Sequence, residues 1–407
     1  MDAQHTGRSP YAGPRQPVLL RSFNTGTPDL LPPDAVVPRA DIQSSSAIGP
    51  DGTIYIGNFV GFLFALRDSP TARDKLDLVW RFRPPNGSPF HATPALGRDG
   101  SVYMGFSVGA NTAPPASTLY ALRAPASGDQ AQVVWSLNLG DARVMASPTV
   151  GPDGTIYVVN AAGTLFAVAP DGKPRWTAQT GRALKSAPAL GSDGTVYHAS
   201  MDGKLYAVAP PTSGDQGVVR WTFDFGEHLG PTPLQTVPTG SPGAAGGADG
   251  IGSGASPTVG PDGTVYVGAN NSNYYAITPT GQMRWLFEAE RELAGIWTTG
   301  VLSPDGRTLY FGANKGGIYA VDAQSGAKRW QLPVYGSIYA SSALDSRGVL
   351  YTGTTIEQLY VVDSANGQEL WDYDVKDEIW SAPSIRPDGT LVIAHRGGLV
   401  MVLGDQS

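Results

Sequence analysis

Ala146-Ser-Pro-Thr-Val-Gly-Pro-Asp-Gly-Thr-Ile-Tyr-Val158 is the stretch whose reading decides the fold. A Leu-Phe-Ala-Val segment at Leu165–Val168 and a tryptophan at Trp176 follow it. The same pattern returns at Ser186–Trp221, Ala255–Trp285, Thr298–Trp330 and Ala340–Trp371, and in more divergent form from Ser44, Ala92 and Ser381. An end-to-end repeat of about forty residues, built of short β-rich segments, predicts an all-β propeller.

Within one unit, Ala146–Val150 reads as an inner strand and Thr155–Val159 as the second. Gly151-Pro-Asp-Gly154 makes the turn between them, because Pro fixes φ and Asp-Gly supplies the positive-φ geometry of a tight hairpin. Thr164–Val168 is the third strand, and the segment around Trp176 the outer one. A calcium loop needs several oxygen ligands at alternating positions, whereas each turn offers one Asp, so these are turns.

Eight such turns end at Gly52, Gly100, Gly154, Gly194, Gly263, Gly306, Gly348 and Gly389. Seven tryptophans close units, at Trp80, Trp135, Trp176, Trp221, Trp285, Trp330 and Trp371. The last unit runs out near Gly404 without an outer strand. Leu20-Arg-Ser-Phe-Asn-Thr-Gly26 resembles Arg175-Trp-Thr-Ala-Gln-Thr-Gly181 with Arg21 in place of the tryptophan. It is read as the missing strand, so the expected fold is an eight-bladed β-propeller of four-stranded antiparallel blades. The N-terminal strand at 18–26 closes the ring on the C-terminal blade and removes free sheet edges. The expected organisation is a flexible tail at 1–17, one propeller at 18–407, and a Gly/Pro-rich loop insertion at 227–253.

The chain has 407 residues, a net charge of −7 and no cysteine. No basic stripe exists to displace counterions, which argues against nucleic acid. Disulfides, thiolate catalysis and cysteine-ligated zinc are excluded. No apolar run approaches the length of a membrane helix. Met1–Pro17 lacks the apolar core of a signal peptide. That places the protein in the cytoplasm if Met1 is the native start, and in the periplasm or outside the cell if the chain is a trimmed mature form. A monomer is expected.

The outer half of the units identifies a family. Ala320-Val-Asp-Ala-Gln-Ser-Gly-Ala-Lys-Arg-Trp330 resembles the Ala-x-Asp-x-x-Thr-Gly-x-x-x-Trp pattern of pyrroloquinoline-quinone-type (PQQ-type) propeller repeats, with Ser for Thr. Val361–Trp371 is a looser match and Ala167–Trp176 a shortened one. The resemblance implies that the tryptophans dock between neighbouring blades. It does not imply the quinone, because the vicinal cysteines of many quinoprotein dehydrogenases are absent, as is any acidic-plus-Asn calcium set that can be carried over. In length the chain resembles the propeller lipoprotein of outer-membrane β-barrel assembly, which binds a partner without a cofactor. No cofactor and no metal site are expected.

Function is sought where the units differ. The residue three positions before the inner-strand proline, or before its equivalents Ser46, Gly300 and Ser342, lies at the mouth of the channel and is Gln43, His91, Met145, Lys185, Gly254, Trp297, Tyr339 or Trp380. The next residue is always Ala, Ser or Thr. This chemically mixed ring, aromatic on three successive blades, reads either as a small-molecule or sugar pocket or as a plug of the channel. Two insertions, Glu227–Ser253 and Thr25–Arg39, fall on the same face, where binding loops tend to gather. The leading expectation is a binding or scaffold protein. It would hold a protein segment or small molecule through Gln43, His91, Met145, Lys185, Trp297, Tyr339 and Trp380. The alternative is a cofactor-independent lyase, hydrolase or isomerase, with Lys185 or His91 as base and Glu378 or Asp41 as acid.

Overall fold

A computed structural model describes residues 3–5, 7–27, 30, 41–85, 92–108, 116–182, 185–226, 253–289, 295–314 and 316–405. Among the described residues, thirty-two strands form eight antiparallel sheets of four strands each. Seven sheets are consecutive in sequence, and the eighth has the order Pro17–Asn24, Leu399–Asp405, Leu391–Ala394, Ser384–Ile385. The eight-bladed propeller closed by its N-terminal strand is therefore the fold. Among the described residues no helix is long and apolar enough to cross a membrane. The insertion at 227–253 lies outside the described residues except for Ser253, as does most of 25–39.

The closing strand copies the register of the outer strands it replaces. In the third blade Ala167 pairs with Trp176, and the ladder then bulges between Ala167 and Val168. In the eighth, Val402 pairs with Arg21 and the ladder shifts between Leu19 and Arg21. Arg21 thus stands at the tryptophan position, as the sequence comparison required.

The inner strands are shorter than expected. Only Thr149–Val150 of Ala146–Val150 is a strand. The preceding Pro148 has no N–H to give a ladder, and the residues before it bond around the channel instead of along the blade.

A Tyr–Ala–Trp row crosses six blades. Tyr157, Ala167 and Trp176 lie side by side on adjacent strands, and the small alanine lets the outer rings meet at 6.0 Å. The tryptophan then docks on the following blade. Trp285 donates its indole N–H to Ala323 O at 3.0 Å and lies over Gly326. At φ +73° a side chain there is strained, and its Cβ would stand 2.8 Å from the indole. Trp371 departs from the rule and is 39% exposed. The blade it faces takes its outer strand from the N-terminus, so it lacks the turn between third and outer strands on which the other tryptophans dock.

The turn aspartates are used structurally. Asp153 accepts hydrogen bonds from Thr155 N–H at 3.0 Å and Thr155 Oγ1 at 2.6 Å, and pairs with Arg175 at 2.5 Å. Burial pushes its carboxyl up, but the Thr155 and Arg175 bonds outweigh that and hold it below the usual carboxylate range. Asp99, Asp193 and Asp262 repeat the arrangement with Arg123, Arg220 and Arg284.

The segment read as a tail is laid along the opposite rim of the channel. Ala3 O accepts from Leu190 N–H, Gln4 O from Val259 N–H and Gly7 O from Leu344 N–H. His5 contacts Pro257 O and Thr149 Oγ1, each at 3.2 Å. Tyr351 donates to Pro14 O at 2.8 Å. The chain thereby touches the inner strands of blades three, four, five and seven before it enters blade eight.

Candidate functional site at the channel mouth

Side chains alternate along the segment leading into each inner strand, which aims the variable residues at the axis. Ile42, Val144, Ile296, Ile338 and Ile379, one position before the ring residue, are wholly buried. One position after it, Ser44, Thr298 and Ser381 are buried and donate to Gly57 O, Gly312 O and Ala394 O of their own blades at 2.8, 2.8 and 2.6 Å. With both neighbours turned into the blade, the ring residue faces the channel. Gln43, Met145, Lys185, Gly254, Trp297, Tyr339 and Trp380 all line one axial cavity of about 1000 Å³. His91 lies outside the described residues.

The ring residues meet across the opening. Trp297 and Tyr339 pack edge to face at 6.2 Å, and the Tyr339 and Trp380 rings lie tilted by 44° at 4.8 Å. Lys185 reaches from the connection into blade four to Trp380 on the connection into blade eight, its Nζ 5.7 Å from the ring centroid. The cavity lies beneath them, its far end lined by Gln4, His5, Arg8 and Tyr11. The ring therefore partly covers the channel and also walls a cavity, which joins the two alternatives drawn from the sequence.

The acidic candidates form a clamp beside this wall. Glu378 Oε2 accepts from Trp380 Nε1 at 2.8 Å and from Arg396 Nη1 at 3.1 Å. Asp41 Oδ2 accepts from Arg396 Nε at 3.1 Å and from Gln43 Nε2 at 3.0 Å. The Arg396 guanidinium lies 4.9 Å over Trp380. Lys185 has no carboxylate within ion-pair distance among the described residues. Burial pushes its ammonium down to about 8, against the opposing charge of Asp41.

Sequence reading missed a second ring. Two positions beyond the ring residues stand Ser45, Thr93, Ser147, Ser256, Thr299 and Ser341, with Ala187 and Ala382 on the other blades. Ser45 N–H donates to Thr93 Oγ1 at 3.1 Å and Thr93 N–H to Ser147 Oγ at 2.8 Å. Ala187 N–H donates to Ser256 Oγ at 2.9 Å, Thr299 N–H to Ser341 Oγ at 2.9 Å and Ala382 N–H to Ser45 Oγ at 2.8 Å. These bonds run from blade to blade and form a belt of hydroxyls around the cavity. The strict alternation before each inner-strand proline was the signal that would have found it.

The polar ends of the second strands cap turns. Asn160 Oδ1 accepts from Ala162 and Thr164 N–H, and His395 Nδ1 from Gly397 N–H. No group of three metal-ligating side chains occurs among the described residues.

The family described as outer membrane protein assembly factor BamB matches residues 116–243 and 202–406. No curated protein matches the chain by sequence. Among solved structures, BamB from Moraxella catarrhalis superposes with a TM-score of 0.62 at 15% identity, covering 96% of this chain and 98% of that one. Quinohemoprotein alcohol dehydrogenase from Comamonas testosteroni gives 0.69 at 14% identity, covering 100% and 80%. Sqt1 of Saccharomyces cerevisiae gives 0.70 at 12%, covering 95% and 98%. At these identities the structures share the fold, and one fold serves many functions.

Proposed function

Because the chain belongs to the outer membrane protein assembly factor BamB family of PQQ-like propeller repeats, we propose that it is a binding protein. It engages a protein segment or small molecule through the mouth of its channel. The observation that carries this reading is the division of labour at the mouth. Both carboxylates that would serve an acid–base mechanism, Glu378 and Asp41, are held by Arg396, while Trp297, Tyr339 and Trp380 line the cavity. Aromatic anchors beside a few polar groups suit recognition.

The reading carries no quinone. No Asp or Glu lines the cavity among the described residues, and the chain has no cysteine. That donor set does not fit a calcium-bound quinone flanked by a vicinal cysteine pair.

Native mass spectrometry of the purified protein beside the Trp297→Ala/Trp380→Ala variant tests the proposal. A co-purifying mass that the variant loses supports it. A mass retained by the variant contradicts it. One observation favours the rival enzyme reading: desolvation of the partly buried Lys185 pushes its ammonium down to about 8, which brings a base towards neutral pH. Turnover of a substrate that Lys185→Ala abolishes at unchanged melting temperature would establish that alternative.

A further inference from the structure

The protein is acidic overall, with 35 Asp and Glu against 28 Lys and Arg. Its axial cavity has the opposite character. Lys185, Arg8 and Arg98 line it, and no carboxylate does among the described residues. An ammonium in so confined a place costs solvation, and a carboxylate partner would ordinarily repay it. No described carboxylate stands within ion-pair distance of Lys185, so an anion entering the cavity meets a cation without a salt bridge.

The hydroxyl belt narrows the chemistry further. Ser45, Thr93, Ser147, Ser256 and Ser341 each accept a backbone N–H from the adjacent blade. None of the five donates its own O–H to a described acceptor, and all five line the cavity. Each hydroxyl still holds a donor and a second lone pair to offer. Gln43 Oε1 and Asn270 Oδ1, both on cavity-lining residues, are buried without a hydrogen-bond partner among the described residues. A small rotation towards a ligand hydroxyl would meet that demand. The rings of Trp297, Tyr339 and Trp380 offer apolar faces of the kind that pack on the C–H face of a sugar.

We infer that the axial cavity binds an anionic sugar: one acidic group at Lys185, ring hydroxyls on the serine–threonine belt, and a C–H face on the aromatic wall. The cavity volume, about 1000 Å³, lies at the upper end of small-molecule sites and accommodates one or two sugar rings. This inference rests on the binding reading above and names the ligand class of the same site.

Calorimetric titration of the full chain at pH 7 tests it with galacturonate, glucose 6-phosphate, glucose and inorganic phosphate. The expected result is that galacturonate or glucose 6-phosphate binds at least about tenfold more tightly than both glucose and inorganic phosphate. The two anionic probes separate a carboxylate from a phosphate as the acidic group. Lys185→Met should lose about tenfold or more in affinity for the better probe, and Lys185→Arg should retain most of it. Ser147→Ala/Ser256→Ala should weaken binding of the better probe several-fold and, because each hydroxyl also accepts an N–H from the adjacent blade, lower the melting temperature. Glucose binding as tightly as its charged relatives, or Lys185→Met binding like the parent, would overturn the inference. So would inorganic phosphate binding as tightly as the sugars. If neither anionic sugar binds while a co-purifying mass still depends on Trp297 and Trp380, the sugar assignment falls and the binding reading stands.

Discussion

Lys185 Nζ stands 5.7 Å from the centre of the Trp380 ring, although the two residues lead into blades four and eight, on opposite sides of an eight-bladed ring. The contact turns a ring of variable residues into a partial cover over the axial cavity. It exists only because the propeller is closed, and closure depends on a strand from the N-terminus. Several consequences are measurable.

The docking tryptophans should carry unequal energies. Trp285 is 7% exposed, bonds to Ala323 O and lies against Gly326 of the next blade. Trp285→Ala should destabilise the protein by about 3–5 kcal/mol, the range for truncating a buried aromatic. Trp371 is 39% exposed, and Trp371→Ala should cost less than about 1–2 kcal/mol. Denaturant unfolding of the two variants, side by side, measures the difference.

At the ring closure, charge replaces the docked aromatic. Asp68 of the first blade pairs with Arg386 at 2.9 Å and with Arg21 at 3.5 Å. The Arg386 side chain is nearly buried and, among the described residues, keeps only Asp388, at 3.5 Å, as an ion-pair partner once Asp68 is gone. Asp68→Ala should therefore destabilise by about 2–3 kcal/mol, mostly through the poorly paired guanidinium left behind. A double-mutant cycle with Arg21→Ala should show a smaller coupling, since that pair is longer and more exposed.

His198 should make the protein acid-sensitive. It is fully buried on the second strand of blade four, and neither ring nitrogen meets hydrogen-bond geometry with a described residue. The equivalent positions hold Val158 and Val267. Burial pushes the imidazole down to about 4, against the charge of Asp202 and the Gly181 carbonyl. The folded protein resists protonation that the unfolded chain accepts near 6.5. Stability is thus whole above pH 6.5 and falls as pH drops from there through 4. His198→Val should raise the melting temperature and flatten the acid limb over that window. An unchanged limb would place the acid sensitivity elsewhere.

What could be read from the sequence was whatever a single blade requires locally. The Pro-Asp-Gly turns, the tryptophan positions and Arg21 as the substitute all follow from short-range geometry, and the register of Arg21 with Val402 bears out the last. The ring at the mouth was legible because alternation forces it inward. The path of residues 3–5 and 7–14 was not, since it depends on inner-strand groups of blades three, four, five and seven that meet only in the assembled ring. The hydroxyl belt was missed for a different reason. Ser or Thr stands two residues beyond six of the eight ring positions, in alternation with the ring, but its blade-to-blade bonding shows only once the blades are side by side.

The central claim is that Lys185 crosses the mouth as a partly buried ammonium against Trp380. Nuclear magnetic resonance of protein labelled with ¹³C at lysine Cε, with Lys185 assigned through Lys185→Arg, tests it directly. The account predicts a Lys185 signal shifted by the ring current of Trp380 and titrating near pH 8, with the shift lost in Trp380→Ala. A signal at the position of exposed lysines, titrating near 10.5 and indifferent to Trp380→Ala, would contradict the contact and the binding site built around it.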